Sequence, residues 1–314
     1  MSLAVTQNPV FGNYHADSDY LAGICPGCEF LFLNIREEKV SIPLLKRCLR
    51  KDHFDLLSPI GFQPHIQQAA WPALLDALRE ELFTLGAVSL YILCKNDLSG
   101  LAPPRGTDLT RSRQNYVIDL QLSYDQWLMQ QKSDSRQRLR KALDTTRYEL
   151  VETTLSNEYI VNYRRIAEEK NFPPRYVYAE ADLKKIAAAT NITYLELRDD
   201  REFIAGGLFG CDRADVDYLF GANSPRYTDA IRLLINEARQ YFKIRAFDWL
   251  CLGGGIQEND SLAVFKQRMG TLRQSCSAIR VVVNIDQAEQ LMGSTYSTDW
   301  FNGYFPPYVK VTAC

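Results

Sequence analysis

The sequence predicts an α/β (α+β) protein with mixed sheets, built as two similar halves. Three observations carry that reading. First, apolar runs of strand length are spread along the chain: Phe30–Leu33, Phe54–Leu57, Val88–Cys94, Val216–Phe220 and Phe247–Leu252. Second, two segments between them repeat apolar residues at helical spacing. These are Leu74, Leu75, Leu78, Leu82 and Phe83, then Ile231, Leu234, Ile235, Ala238, Tyr241 and Phe242. Third, the order strand, Ser-Pro loop, helix, strand occurs twice, with Ser58-Pro59 matching Ser224-Pro225. The repeat is read as a duplication at the scale of a domain, weak in residue identity; chance is the competing reading, since that order is common among α/β chains. At 314 residues the chain has room for two ordinary domains. The division is placed at 1–114 and 115–314.

Taken in order, the first half opens with the strand Phe30–Leu33. A short helix or strand follows over Ile42–Leu49, then the strand Phe54–Leu57, which ends at Ser58-Pro59-Ile60-Gly61-Phe62. Pro72 suits the first turn of the leucine-rich helix, and Gly86 stops it. Leu98–Arg113, with Gly100, Pro103, Pro104 and Gly106, reads as a loop. Tyr116–Leu120 is a strand, and Trp127–Tyr148 reads as one basic helix carrying Lys132, Arg136, Arg138, Arg140, Lys141 and Arg147. A strand begins at Val151, and Asn157–Lys170 is a helix broken by Phe172-Pro173-Pro174-Arg175. Leu183–Ala189 is a helix. Tyr194–Leu197 and Phe203–Phe209 pair across an Arg198–Glu202 turn. Ser277–Ile285 is the last strand, before an aromatic tail, Tyr304–Tyr308.

The most informative stretch is Trp249–Asp260 with its continuation to Gly270. It reads as a buried strand, then Gly253-Gly254-Gly255, then a helix capped by Asn259 or Asp260, with Leu262, Phe265 and Met269 on one face. Gly270 suits a left-handed helix stop. Three consecutive glycines after a strand suggest backbone lying close to another chain or to a ligand; a tight turn without a ligand is the competing reading.

That run, LGGG, an Asp, then Phe265-Lys266 and Gly270, resembles the C-terminal motif of the Fem-type peptidoglycan bridge-forming aminoacyltransferases and their BioF2-like relatives in the GNAT superfamily. The resemblance covers most of 115–275 and, more loosely, 50–98. It implies tandem GNAT-like domains and an N-acyltransferase that moves an acyl or aminoacyl group from an activated ester or thioester to an amine. It assigns Lys266 to the acyl-transfer cleft, where the ammonium would neutralise a phosphate or the developing oxyanion. A solvated lysine on an amphipathic helix is the plainer alternative. The strands around Tyr218 and Cys251 should part in such a fold, exposing backbone N–H groups to an acyl carbonyl.

Further candidates are Tyr218 for proton transfer, Arg226 and Tyr227 for a donor or acceptor phosphate at the start of the following helix, and the backbone of Gly253, Gly254 and Gly255 for ligand approach. Phe265 is read mainly as core. Asp217 and Asp248 are weaker candidates for a base. The loop Asn223–Asp229 has no glycine, whereas acetyl-CoA enzymes of the superfamily carry Q/R-x-x-G-x-G/A there. Acyl-CoA (acetyl-CoA) and aminoacyl-tRNA therefore both stand as co-substrates, with no tightly bound cofactor. A tRNA-dependent transferase acting on a cell-wall precursor and an inert GNAT-like scaffold are the rival readings. The basic run 132–147 would serve tRNA, although a solvated helix face explains it as well.

Composition excludes some classes. Net charge is −2, so no overall field draws the chain to nucleic acid or anionic membrane. No run of about 18 apolar residues is present, and the first residues lack a basic and apolar leader, so a cytoplasmic protein is expected. Eight cysteines are scattered, several in apolar runs, as reduced thiols are. Cys25-Pro-Gly-Cys28 alone has redox or ligand spacing. With three histidines at unrelated spacing, no metal site is expected.

Overall fold

The computed structural model describes residues 3–50, 52–59, 71–98, 100–255, 260–302 and 304–308. Contacts divide the chain into two compact units. Unit 1 is 1–16, 27–113 and 275–314; unit 2 is 17–26 and 114–274. The sequence reading puts the division at residue 114 as well, but residues 275–314 fold with unit 1, and 17–26 with unit 2.

In unit 1 the strands β1 (Leu3–Thr6), β2 (Glu29–Ile35), β3 (Val40–Arg50) and β4 (His53–Leu57) form an antiparallel meander. Helix α2 (Trp71–Thr84) then carries the chain across to β5 (Ala87–Cys94), which runs parallel to β4. A parallel neighbour requires such a crossover. Leu74, Leu75, Leu78 and Leu82 of α2 are buried in the core of the unit, and Gly86 ends the helix region at φ +88°. Phe83, read as part of that stripe, is 56% exposed, because it lies one position past the buried Leu82 and turns outward. The sheet closes with the unit 1 part of β12 (Leu272–Val282), antiparallel to β5.

Unit 2 repeats this plan. The meander is β7 (Glu149–Glu152), β8 (Ile192–Asp199), β9 (Glu202–Asp212) and β10 (Asp215–Asn223). Helix α7 (Ala230–Ile244) crosses to β11 (Trp249–Gly253), parallel to β10. The closing strand is the unit 2 part of β6 (Thr107–Asp119), antiparallel to β11. Leu233, Leu234, Ile235, Ala238 and Phe242 seat α7 on the sheet. Helices α5 (Asn157–Glu169) and α6 (Glu180–Ala188) belong to this unit, as does α1 (Ser18–Ile24), which packs on α6. A Cβ on Gly23 would lie 2.5 Å from the Ile186 side chain, so only glycine allows that approach. The chain thus has the tandem arrangement expected of two look-alike halves.

Several boundaries differ from the sequence reading. The segment read as one basic helix is two, α3 (Tyr124–Gln130) and α4 (Ser133–Thr145). A capping box between Ser123 and Gln126 starts the first early, and the backbone turns extended at Gln131 and Lys132. The stretch read as a loop up to Arg113 becomes strand from Thr107, since ladder pairing overrides its glycine and prolines once they are passed. The chain after β12 forms α9 (Ile285–Met292), capped by Asn284. Gly270 is extended, at φ −73°, not left-handed; it is required because a Cβ would press on Tyr116 and Val117 at 3.0–3.3 Å.

Candidate functional site

The site is built where β10 and β11 part. Their parallel pairing covers Asp215–Trp249, Val216–Leu250 and Asp217–Cys251 and stops there among the described residues, although β10 continues to Asn223 and β11 to Gly253. A bulge between Tyr218 and Phe220 marks the parting on β10, and a register shift between Cys251 and Gly253 marks it on β11. An extra residue bends a strand and increases its twist, which is how adjacent parallel strands come to diverge. The expected splay is therefore present in unit 2.

The matching strands of unit 1 stay closed. Pairing of β4 with β5 runs from Phe54–Ala87 to Leu57–Tyr91, and the Ser58 amide extends it to the Tyr91 carbonyl at 2.8 Å. Ser58 Oγ also accepts from the Leu93 amide at 3.1 Å. Beneath this zip the carboxylate of buried Asp55 takes hydrogen bonds from Ser89 (2.6 Å), Tyr308 (2.5 Å) and Arg47 (2.6 Å).

Lys266 projects from α8 (Ser261–Met269), which Asp260 caps through its carboxylate and the Ala263 amide at 2.7 Å. The alternative cap, Asn259, and the neighbouring 256–258 lie outside the described residues, as do Ile60–Phe62 of the first Ser-Pro loop. The half-buried Lys266 donates from Nζ to the Gly254 carbonyl at 2.9 Å. Gly253 has φ +72°, and a Cβ there would meet that Nζ at 3.3 Å. A Cβ on Gly254 would lie 2.5 Å from the Gln114 carbonyl of β6. The glycines thus let a lysine approach from one side and a strand from the other. Gly255 leads out of this turn.

Around α8 and α7 lies a further set of groups. Phe265 packs partly against the core, and the guanidinium of buried Arg232 stands 5.3 Å from its ring. Arg232 also reaches Ser135 Oγ at 2.7 Å and Asp229 at 3.3 Å. Burial, with the charges of Arg138 and Arg268 adding to it and Asp229 opposing, lowers its affinity for its proton below the arginine norm. Met269 is buried as expected, but Leu262 is 38% exposed, since the short helix turns its first residues outward. The first turn of α7 has no side-chain cap: Asp229 is left-handed at φ +59° and its carboxylate turns to Arg232 instead.

Arg226 and Tyr227 stand just before that turn, as the sequence reading requires. However, both are held by Glu202: Arg226 Nη1 lies 2.7 Å from one carboxylate oxygen and the Tyr227 hydroxyl 3.1 Å from the other. The Arg226 side chain is 76% exposed. Tyr218 folds its ring over its own strand, and its hydroxyl occupies the space a Cβ on Gly221 would need. Burial pushes its phenol above the usual tyrosine range, so it stays protonated at neutral pH. Asp217 ends the paired part of β10 and raises the pKa of buried Tyr20 on α1, after burial itself. Asp248 faces away, accepting from Gln121 at 2.6 Å. Sequence reasoning missed Glu202, Gln114 and Arg232. A carboxylate opening a strand gives no local signal, and a backbone carbonyl gives none at all. The Arg232 position inside the helical stripe Ile231–Ile235 was the one readable sign.

No family model matches the chain, and no curated protein matches it. Solved structures do. FemX is 12% identical over 88% of this chain and 93% of its own, with a TM-score of 0.64. The L-PGS structure from Bacillus licheniformis is 10% identical over 84% and 87%, at 0.53. The C-terminal domain of a putative lysylphosphatidylglycerol synthetase from Agrobacterium fabrum is 14% identical over 88% and 90%, at 0.52. The parting strands and the repeat define a GNAT-like α/β class. The chain shares its fold with these structures. No helix among the described residues is long and apolar enough to cross a membrane, and among them no cluster of three or more His, Cys, Asp or Glu is grouped to hold a metal.

Proposed function

We propose that the chain is an N-acyltransferase that passes an acyl or aminoacyl group from an activated ester or thioester to an amine, using the gap between β10 and β11. One observation carries this: among the described residues β10 and β11 pair only as far as Asp217–Cys251, and the Lys266 ammonium is held by the Gly254 carbonyl on the glycine turn that follows β11. The donor carbonyl would lie along the β11-facing edge of β10 beyond Tyr218, the other edge being paired with β9. As the amine nitrogen attacks its carbon, the oxygen gains negative charge, which backbone N–H groups and the Lys266 ammonium stabilise. The carbon–nitrogen bond forms, the bond to the donor sulfur or oxygen breaks, and the proton that the attacking nitrogen sheds is passed on to the leaving group. The Tyr218 hydroxyl, kept protonated by burial, suits that delivery. A donor phosphate would rest on the uncapped first turn of α7, beside Arg226 and Tyr227. Gly253–Gly255 line the approach, and Phe265 holds α8 in place.

One feature favours aminoacyl-tRNA over acyl-CoA as donor. Arg138, Arg140, Lys141 and Arg147 are all exposed on or just past α4 and form no ion pair among the described residues, while Arg268 reaches α4 through Asp134 at 3.2 Å. Such a row attracts a phosphate backbone in a salt-dependent way. On that reading the acceptor is a cell-wall precursor amine. The test is transfer of labelled acetyl from acetyl-CoA, and of labelled amino acid from aminoacyl-tRNA, to a panel of amines by the wild type and Lys266→Ala. Transfer lost in the variant supports the site; equal transfer removes Lys266 from it. No transfer from either donor favours a scaffold, a GNAT fold that binds without reacting.

A further inference from the structure

Unit 1 holds a cavity of about 780 Å³ that the transfer site does not use. Ligand-binding cavities fall in the range of roughly 300–1,000 Å³. One wall is the turn from Pro103 to Thr110, another is Arg280 of β12, and the third is the segment from Tyr296 to Asn302. Three chain segments distant in sequence therefore converge on it.

The walls are fixed. At the turn, Gly106 has φ +73°, and its carbonyl accepts from the Val282 amide at 2.8 Å. The Arg79 guanidinium lies under the same glycine, where a Cβ would be 2.5 Å from it, and donates to the Val282 carbonyl at 3.1 Å. Arg280 clamps the other side: its Nε is 3.1 Å from Asp108, and its Nη1 donates to the Phe301 carbonyl. The Tyr296 and Phe301 rings meet edge to face at 6.4 Å. A cavity held by this many cross-ties is formed before any ligand arrives.

Its chemistry is one-sided. The carboxylate in the lining, Asp108, is taken by Arg280 and by the Thr110 hydroxyl. Arg105 is exposed at the rim and makes no ion pair or hydrogen bond among the described residues. Behind the wall Arg79 adds a second guanidinium: burial disfavours its protonated form, Asp76 and then Tyr296 oppose that, and the charge of Arg105 adds a smaller push the same way as burial. An anion held by Arg105 would offset that like-charge push. Threonine hydroxyls at 107, 110 and 298 and the Asn302 amide offer hydrogen bonds around the rest, while Tyr296 and Phe301 offer a ring face.

We propose that this unit 1 cavity binds an anion carried on a hydroxylated ring, a sugar phosphate or a sugar acid. Arg105 receives the anion, Tyr296 and Phe301 cover one face of the ring, and the threonines meet its hydroxyls. The proposal is independent of acyl transfer, because binding alone is read.

Calorimetric titration of the full-length protein with glucose 6-phosphate, glucuronate, glucose and inorganic phosphate tests it. At least one of the two anionic sugars should saturate with a dissociation constant under about 1 mM, and glucose and inorganic phosphate should each bind at least about tenfold more weakly than it. The tighter of the two anionic sugars identifies phosphate or carboxylate as the preferred anion. Arg105→Ala should weaken that anionic sugar about tenfold without moving the melting temperature, since the side chain is exposed. Tyr296→Leu should weaken it while keeping bulk against Trp300; if that variant does not fold, Arg105→Ala decides. Failure of both anionic sugars to saturate by about 10 mM overturns the proposal. So does an unchanged affinity in Arg105→Ala, or inorganic phosphate binding as tightly as glucose 6-phosphate.

Discussion

The Lys266 ammonium lies 2.9 Å from the Gly254 carbonyl, and Gly254 is itself pressed against the Gln114 carbonyl of β6. The lysine is therefore positioned by the turn that the strands need in order to part. Lys266→Met keeps the length of the side chain and removes the charge. On the proposed mechanism it should lower turnover by about 10²–10³, the usual cost of losing one oxyanion donor, with little change in the melting temperature. The comparison is single-turnover transfer by the two proteins. A variant as fast as the wild type would leave Lys266 a structural role at the glycine turn and none in transfer.

Gly254→Ala attacks the same turn through packing. Its Cβ would meet a backbone carbonyl at 2.5 Å, and a backbone atom of a paired strand has little room to give. Denaturant unfolding should show a loss of about 1–3 kcal/mol, as forced overpacking does. Gly12→Ala is the control: nothing stands within 4 Å of the added carbon, so its effect should stay within about 0.5 kcal/mol.

Glu202 competes with any phosphate for Arg226 and Tyr227. Hydrogen bonds from Arg226 and then Tyr227 hold its carboxyl below the usual range, so it stays charged and paired at neutral pH. Glu202→Gln should free both groups and tighten CoA or pyrophosphate binding several-fold at low salt. Arg226→Ala in the same background should cancel the gain. Titration calorimetry of the two variants against wild type decides it. Unchanged affinity in Glu202→Gln would mean that Arg226 and Tyr227 never touch the donor.

The thiols divide by burial. Burial pushes Cys94 and Cys211 up to about 11 each, against weaker opposing hydrogen bonds. At pH 8 their thiolate fraction is therefore small, of order 10⁻³. Iodoacetamide followed by peptide mapping should label the exposed Cys28 and Cys48 first, and Cys94 and Cys211 only on unfolding. Early labelling of Cys94 would show that β5 opens from the native state.

The repeat was legible because burial writes a period into the residues: the stripes Leu74–Leu82 and Ile231–Phe242 seat α2 and α7 as read. The strands that close each sheet were read in part, as Tyr116–Leu120 and Ser277–Ile285, but their pairing was not legible. Nothing in Thr107–Asp119 or Leu272–Val282 states which neighbour it will pair with, since register is a long-range choice between similar apolar edges. The glycine turn and Lys266 could be picked out by motif, and the parting strands by the fold that motif implies. Glu202 could not, because its partners lie 24 and 25 residues away. The difference between the closed unit 1 pair and the open unit 2 pair rests on Ser58 and Asp55 in the one and on a bulge at Tyr218–Phe220 in the other. Bulges leave no local mark beyond one extra residue.

Asp17 ties the first helix of unit 2 to the rest of that unit. One carboxylate oxygen caps α1, taking the Asp19 and Tyr20 amides at 2.9 and 3.1 Å, and the other takes the Thr190 amide just past α6 at 3.1 Å. Partial burial pushes its pKa up, but these hydrogen bonds outweigh burial, and the net shift is downward. A folded-state pKa below the unfolded value of about 3.9 means that the contribution to stability is present above about pH 4 and is lost as pH falls through the lower folded value. Asp17→Asn should cost about 0.5–2 kcal/mol at pH 7, the range for a lost N-cap. Because other carboxylates also titrate, the readout is the difference between wild type and variant. Plotted against pH, that difference should be flat from about pH 7 to 5 and shrink toward zero below about pH 3. Amide exchange across 18–26 should accelerate in the variant at neutral pH and converge with wild type in acid. A stability difference independent of pH would show that shape, not the charge of Asp17, holds α1 on α6.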